Sequence, residues 1–370
     1  MKVQFLNILS CVSKCALALA LVANISSCDS VIYDYEDKCD PEPEQPGPGP
    51  DAPDEPKPEP TVYYVEYIFD KNMQYTDGFS SNVNSVDLYV FNTSGTFVTK
   101  YHEEGAPLTQ KGYLMELTDL PAGTYQMVAW CGANAFTNFF SIPSSISRRT
   151  DVTAELNVED GCSNVNLPSL FHGALDNATY TDAEGAQIYT IRLTKDTNNI
   201  NITMQHRAGL EFRKDRFKVW ITDNNGFMLA DNTVPDGNED VEYRPYRTAI
   251  GTTTVKSSVT RADDTVGNFL LVELATARLM ADHAATITVI DTENNDKVIF
   301  SIPLVRWALQ LRSSNHKTMD EQEYLDRQDE YNMMLWLDSY DPETGESTGW
   351  FGAGVEILDW HVIDDVQNLQ

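Results

Sequence analysis

Apolar and polar positions alternate with a period of two through much of this chain after residue 61. In the run Val83–Phe91, Val86, Leu88 and Val90 fall on one side and Asp87, Tyr89 and Phe91 on the other. That is the spacing of a strand with one face turned to a core. Val62–Phe69, Tyr113–Leu117 and Thr124–Cys131 are similar β-branched and aromatic runs, and the turns Thr93-Ser94-Gly95 and Pro121-Ala122-Gly123 punctuate them. Ile188–Leu193, Ile200–Met204, Phe217–Thr222, Leu270–Leu274, Ala285–Ile290 and Val298–Ile302 continue the theme. Short strands at such intervals predict β-sandwiches. Two short helices interrupt the second half. Leu304, Trp307, Ala308 and Leu311 fall at helical spacing behind Pro303, and Thr318 with Glu321 has the spacing of a capping box before a stretch ending near Asp329. Tyr331–Leu337 and Val355–Ile363 return to strand. The polar break Asp196-Thr197-Asn198-Asn199 places a boundary between one sandwich over residues 62–196 and a second over 197–370. The expected fold is mainly β.

The N-terminus follows a different pattern. Lys2 and Lys14 precede an apolar stretch, Cys15–Ile25, and small residues lead to Cys28, with no acidic residue before it. This is the layout of a secretory signal over residues 1–27. About ten apolar residues at 1.5 Å each cannot cross roughly 30 Å of hydrocarbon. A cysteine at the first mature position can carry a diacylglycerol thioether, and its freed amine can take another acyl chain. Two or more chains anchor stably where one is marginal. Cys28 is therefore the expected lipidation site of a bacterial lipoprotein. Residues 28–61 follow as the lipidated N-terminus and a stalk, with nine prolines and seven acidic residues between Asp40 and Pro60. Polyproline II at about 3.1 Å per residue gives the Asp40–Pro60 segment a reach of roughly 60 Å.

Charge narrows the partners. The formal net charge is −30, and losing Lys2 and Lys14 with the signal takes it to −32. Such a surface repels nucleic acid and anionic headgroups, so membrane attachment falls to the lipid. Of the six cysteines, Cys11 and Cys15 leave with the signal and Cys28 is acylated. Cys39, Cys131 and Cys162 remain, an odd number with no zinc-ligand spacing. Proximity in the first sandwich points to a local Cys131–Cys162 disulfide, closing about 30 residues for around 3–4 kcal/mol in the chain-entropy model. Cys39 is the alternative partner.

Catalytic chemistry finds little support. His102, His172, His206, His283, His316 and His361 are scattered, and no GxSxG elbow, HExxH helix, P-loop or GxGxxG turn occurs. The neighbours Glu103-Glu104, Asp263-Asp264 and Asp364-Asp365 would point to opposite faces of a strand rather than converge on a substrate. The oxygen-rich loops Asp231–Asp240 and Asp338–Glu346 lack the EF-hand pattern. No metal or cofactor is expected. Tyr63, Tyr64 and Trp350 suit either a sandwich core or a sugar-stacking platform.

Several segments together carry a family resemblance. The run Cys28–Asp40, then Val83–Phe91, Pro121–Tyr125, Ala129-Trp130-Cys131-Gly132, Leu325–Tyr331 and Trp360 resemble, in order, the FimB-type fimbrial anchor lipoproteins of Bacteroidales. The resemblance implies two transthyretin-like β-sandwich domains, an outer-membrane lipid anchor with fimbrial stalk or tip subunits as partners, and no catalysis. Polymerising relatives are typically freed by an Arg-specific cut near the N-terminus. Here no arginine precedes Arg148, and Arg148-Arg149 lies deep in the first sandwich. Seven residues after Ile363 leave little spare chain for a donor strand. Both features predict a subunit that stays at the fibre base and receives a strand at a sheet edge. A glycan-binding surface lipoprotein is the second reading.

Overall fold

The computed structural model describes residues 60–132, 139–206, 213–255, 265–313, 316–337, 350–357 and 360–364. Within them the chain is mainly β, in five sheets. The first strand, β1 (Val62–Ile68), lies at the centre of a three-stranded sheet, parallel to β10 (Ala186–Arg192) and antiparallel to β4 (Leu114–Glu116). A five-stranded sheet runs β11 (Thr194–Lys195), β9 (Phe171–Tyr180), β5 (Gly123–Cys131), β2 (Ser85–Asn92), β3 (Phe97–Glu104). These two sheets close on one core. Val65 and Tyr67 of β1 meet Val86, Leu88 and Val90 of β2 and Met127 and Cys131 of β5, all nearly inaccessible.

The alternation read in β2 holds, but its second face is not solvent. Tyr89 and Phe91, with Val128 and Trp130 of β5, belong to a second and larger core. That core is built mainly from two further sheets. One runs β16 (Arg247–Val255), β17 (Thr265–Ala277), β12 (Thr197–His206), β20 (Glu330–Leu337), β21 (Trp350–Ile357), β22 (Trp360–Asp364). The other runs β19 (Lys297–Pro303), β18 (Thr286–Asp291), β13 (Phe217–Asp223), β15 (Val241–Tyr243), β8 (Cys162–Ser163). A small sheet of β14 (Phe227–Met228), β7 (Ala154–Leu156) and β6 (Phe140–Ser141) completes the set. Ile200, Ile202, Leu270 and Val272 face Val219, Ile221, Ile287 and Val289 in this core. Each large aliphatic side chain buried there contributes roughly 1.5–3 kcal/mol. The break at Asp196 separates β11 from β12. Strands β7 and β8, from before that break, pair with β14 and β15 from after it.

Local chemistry explains the element ends. Asn92 Oδ1 accepts from Ser94 N and Thr96 N, and Gly95 at φ 76° completes the β2–β3 turn. Gly132 ends β5 at φ 101°, where a Cβ would stand 2.3 Å from Ser169 O. Only glycine fits there.

The helices α1 (Phe79–Asn82), α2 (Leu304–Gln310) and α3 (Glu321–Arg327) are short. Leu304, Trp307 and Ala308 of α2 are buried as the spacing predicts, with Pro303 standing at the N-cap rather than the first helical position. The cap of α3 is Asp320, not Thr318. Its Oδ1 accepts from Gln322 N at 3.0 Å and Glu323 N at 3.2 Å, and a carboxylate suits the positive helix end better than a hydroxyl. The single strand expected over Val355–Ile363 is a hairpin, with Ile357 opposite Trp360.

Candidate functional site

The segment Leu325–Tyr331, one of the sequence motifs, forms the hub of a buried polar network. Arg278, just past β17, is bidentate to Asp326 of α3, with Nε at 2.9 Å from Oδ1 and Nη2 at 2.8 Å from Oδ2. Asp326 also accepts from Lys71 Nζ at 2.7 Å and Gln322 Nε2 at 2.9 Å. Lys71 in turn reaches Thr194 of β11 at 3.3 Å. Arg327 Nη1 donates to Asp70 O, and its guanidinium lies 4.6 Å over the ring of Tyr75, a residue held at φ 54°. Tyr331 is buried, and Asp329 pairs with Lys195. The motif thus ties the segment after β1 to the end of β17 and the start of β20. Its residues are structural.

Asp196 sits at the same junction, fully buried, with Oδ1 accepting from Asn232 Nδ2 at 2.9 Å and 3.6 Å from Arg278. Burial raises its carboxyl from 3.8 to about 7, against the opposing pull of Arg278. A carboxyl raised on folding contributes stability that is complete below the unfolded value and lost as pH rises through the folded one. Asp196→Asn is therefore expected to stabilise the protein at pH 8 by about 1–3 kcal/mol, with the gain vanishing near pH 4. Urea melts of both proteins across that range check it, and a pH-independent difference would refute it. Comparison with wild type matters because His172 slopes the other way. Burial lowers it to about 4, so its contribution is lost as pH falls from its ordinary 6.5.

The other residues singled out in the sequence lie apart. Cys28 and Cys39 are outside the described residues, as are Asp263-Asp264 and the loop Asp338–Glu346. Cys131 and Cys162 are not bonded. Both are free thiols, Cys131 buried in the first core and Cys162 in β8 beside β15, so the pairing expected from sequence proximity is corrected. Burial raises the Cys131 thiol well above its ordinary range. Tyr63 is buried and donates to Thr181 O at 3.0 Å. In the loop Asp231–Asp240, Asp231 Oδ1 is taken up by Thr233 and Asn232 by Asp196. His102 lies 2.7 Å from Asp87, and His283, its side chain nearly covered, lies 3.7 Å from Asp223. Among the described residues no group of three or more His, Cys, Asp or Glu side chains has metal-binding geometry. Arg149 pairs with Asp176 at 2.8 Å in a short turn.

The sheet edges are the features suited to a partner. Strands β3, β10, β16 and β19 each pair on one side only, and each carries one exposed aliphatic: Val98, Ile188, Ile250 and Val298. Their settings differ. Ile188 is opposite Tyr64, on the face of β1 turned away from the core, and Val298 is opposite Ile290 on a similarly outward face. Val98 falls at a register shift and is followed by Lys100, His102, Glu103 and Glu104. Ile250 is opposite Leu270, which is fully buried, so it lies on the core side of its sheet yet is 43% exposed. From Thr248 to Val255 the strand carries no charge. Sequence patterning missed this strand, because Thr, Ala and Gly dilute its apolar alternation.

Comparison with known structures defines the class by fold, shared with adhesin-type proteins. A candidate adhesin from Bacteroides thetaiotaomicron is similar at 28% identity and TM-score 0.70, over 84% of this chain and 99% of its own. A candidate polysaccharide-binding protein from the same organism is similar at 27% and 0.68, over 83% and 99%. The fimbrial anchor protein Mfa2 of Porphyromonas gingivalis shares the fold at 14% and 0.59, over 82% and 99%. The family of fimbrillin-A associated anchor proteins Mfa1 and Mfa2 matches residues 53–366, and this chain belongs to it. It is a family of structural surface proteins, not of enzymes, and it meets the fimbrial-anchor resemblance read from the motifs. Comparison with curated proteins gives no match.

Proposed function

We propose that this chain is the base of a fimbrium, held at the outer membrane by acyl chains on Cys28, receiving a fimbrial subunit and thereby limiting fibre length. Its two sandwich units, residues 62–196 and 197–370, stand off the membrane on the proline-rich segment. No helix among the described residues is long and apolar enough to cross a membrane. Acyl chains on Cys28 would supply the attachment. Strand β1 is paired on both sides along the first sheet, with Val65 fully buried, and no arginine precedes it as a cleavage point.

The observation that carries the docking mode is Ile250. An extended segment pairing with β16 would satisfy its open backbone groups and cover this core-side aliphatic. Ile250→Lys, which places a charge at that edge, is expected to weaken capture of a co-encoded fimbrial subunit at least tenfold. Wild-type capture should persist at high salt, because main-chain pairing is little screened. Undiminished capture by Ile250→Lys, or capture lost at high salt, would refute docking along this edge.

A further inference from the structure

The outer face of the sheet containing β13 carries an aromatic ring that the core does not use. Along β13, Phe217, Val219 and Ile221 point into the second core, while Lys218, Trp220 and Thr222 alternate outward. Trp220 is opposite Thr288 of β18, which is opposite Ser301 of β19, and the two hydroxyls are 3.4 Å apart. On the other side Ile221 is opposite Tyr243, so the next residue, Arg244, comes into the row beside Trp220. Arg244 Nε donates to Glu242 Oε1 at 2.6 Å, and Glu242 is opposite Thr222. The row across the sheet is guanidinium, indole, hydroxyl, hydroxyl.

A cavity of about 620 Å³ opens beside it, lined by Trp220, Lys218, Glu242, Arg244, Asn164 and Thr248 among others. That volume suits one or two sugar rings. No ring among the described residues stacks on Trp220. Lys218 forms no ion pair among them, on a chain whose net charge is −30.

We propose that this face binds an acidic glycan, with a pyranose ring stacked on Trp220, its hydroxyls held by the Glu242–Arg244 pair, and its carboxylate met by Lys218. An indole presents a flat apolar face to the C–H side of a sugar, while the paired carboxylate and guanidinium offer fixed acceptors and donors. Lys218 supplies the sign. The charge of the whole chain would repel a polyanion, so binding requires this local reversal. The inference stands apart from the fimbrial reading: strand docking uses the open edge of β16, which meets this cavity only at Thr248, while Lys218, Trp220, Glu242 and Arg244 lie on β13 and at β15.

The test is calorimetric titration of the full mature chain with polygalacturonate, alginate and chondroitin sulfate, beside neutral dextran and poly-glutamate. Wild type should bind at least one acidic polysaccharide more tightly than dextran. Trp220→Ala should weaken it at least tenfold, and Lys218→Gln should weaken it and reduce its salt dependence. Circular dichroism and thermal melts must show both variants folded; should Trp220→Ala unfold, Trp220→Phe with Lys218→Gln carries the comparison. No saturable binding to any acidic polysaccharide, equal binding by the folded variants, or equal binding of poly-glutamate would overturn it.

Discussion

Cys28→Ala is expected to move nearly all of the protein from the membrane fraction to the periplasm or medium, with longer or detached fibres. The expected effect is large because the proposed attachment is covalent and local. Each buried methylene of an acyl chain contributes about 0.8 kcal/mol, so removing two or more chains leaves nothing comparable in their place. The acidic remainder gives no electrostatic compensation at an anionic surface. Fractionation and immunoblotting measure the shift. Mass spectrometry of the wild-type N-terminus should show acylated Cys28, and an unmodified thiol and amine there would contradict the prediction.

Arg278→Ala is expected to cost about 3–5 kcal/mol of folding stability. Arg278 is almost enclosed, and its loss leaves the buried Asp326 carboxylate without its bidentate partner and removes the cation beside Asp196. Lys71 still reaches Asp326 but cannot replace a planar fork. Arg278→Lys should therefore recover only part of the loss. Urea denaturation of the three proteins at pH 7 checks this, and a cost below about 1 kcal/mol for Arg278→Ala would show the network to be dispensable.

The sequence revealed the strands whose apolar residues are β-branched and regularly spaced, such as β1, β2, β5 and β13. It concealed other features. Strand β9, with Gly173, Asp176 and Asn177 within it, reads locally as a turn, and its pairing with β5 and β11 makes it a strand. The second face of β2 reads as solvent-facing because of Asp87, although Tyr89 and Phe91 are buried under the larger core. The Cys131–Cys162 pairing rested on proximity in sequence, but the two thiols belong to different sheets. The motif Leu325–Tyr331 was legible as a family pattern, yet its role was not. Asp326 finds partners at Lys71 and Arg278, and no local pattern announces contacts across such separations. Ile250 escaped notice for the same reason. A lone aliphatic among threonines becomes informative only once Leu270 stands opposite it.

Hydrogen–deuterium exchange on the mature chain, with and without the co-encoded fimbrial subunit, tests the account most directly. An added strand would bond the outward amides of β16 while leaving β17, already paired on both sides, nearly unchanged. Slowed exchange is expected across Thr248–Thr252 on binding, with β3, β10 and β19 unaffected. Protection confined to another edge, or a stable complex with no new protection on β16, would contradict it.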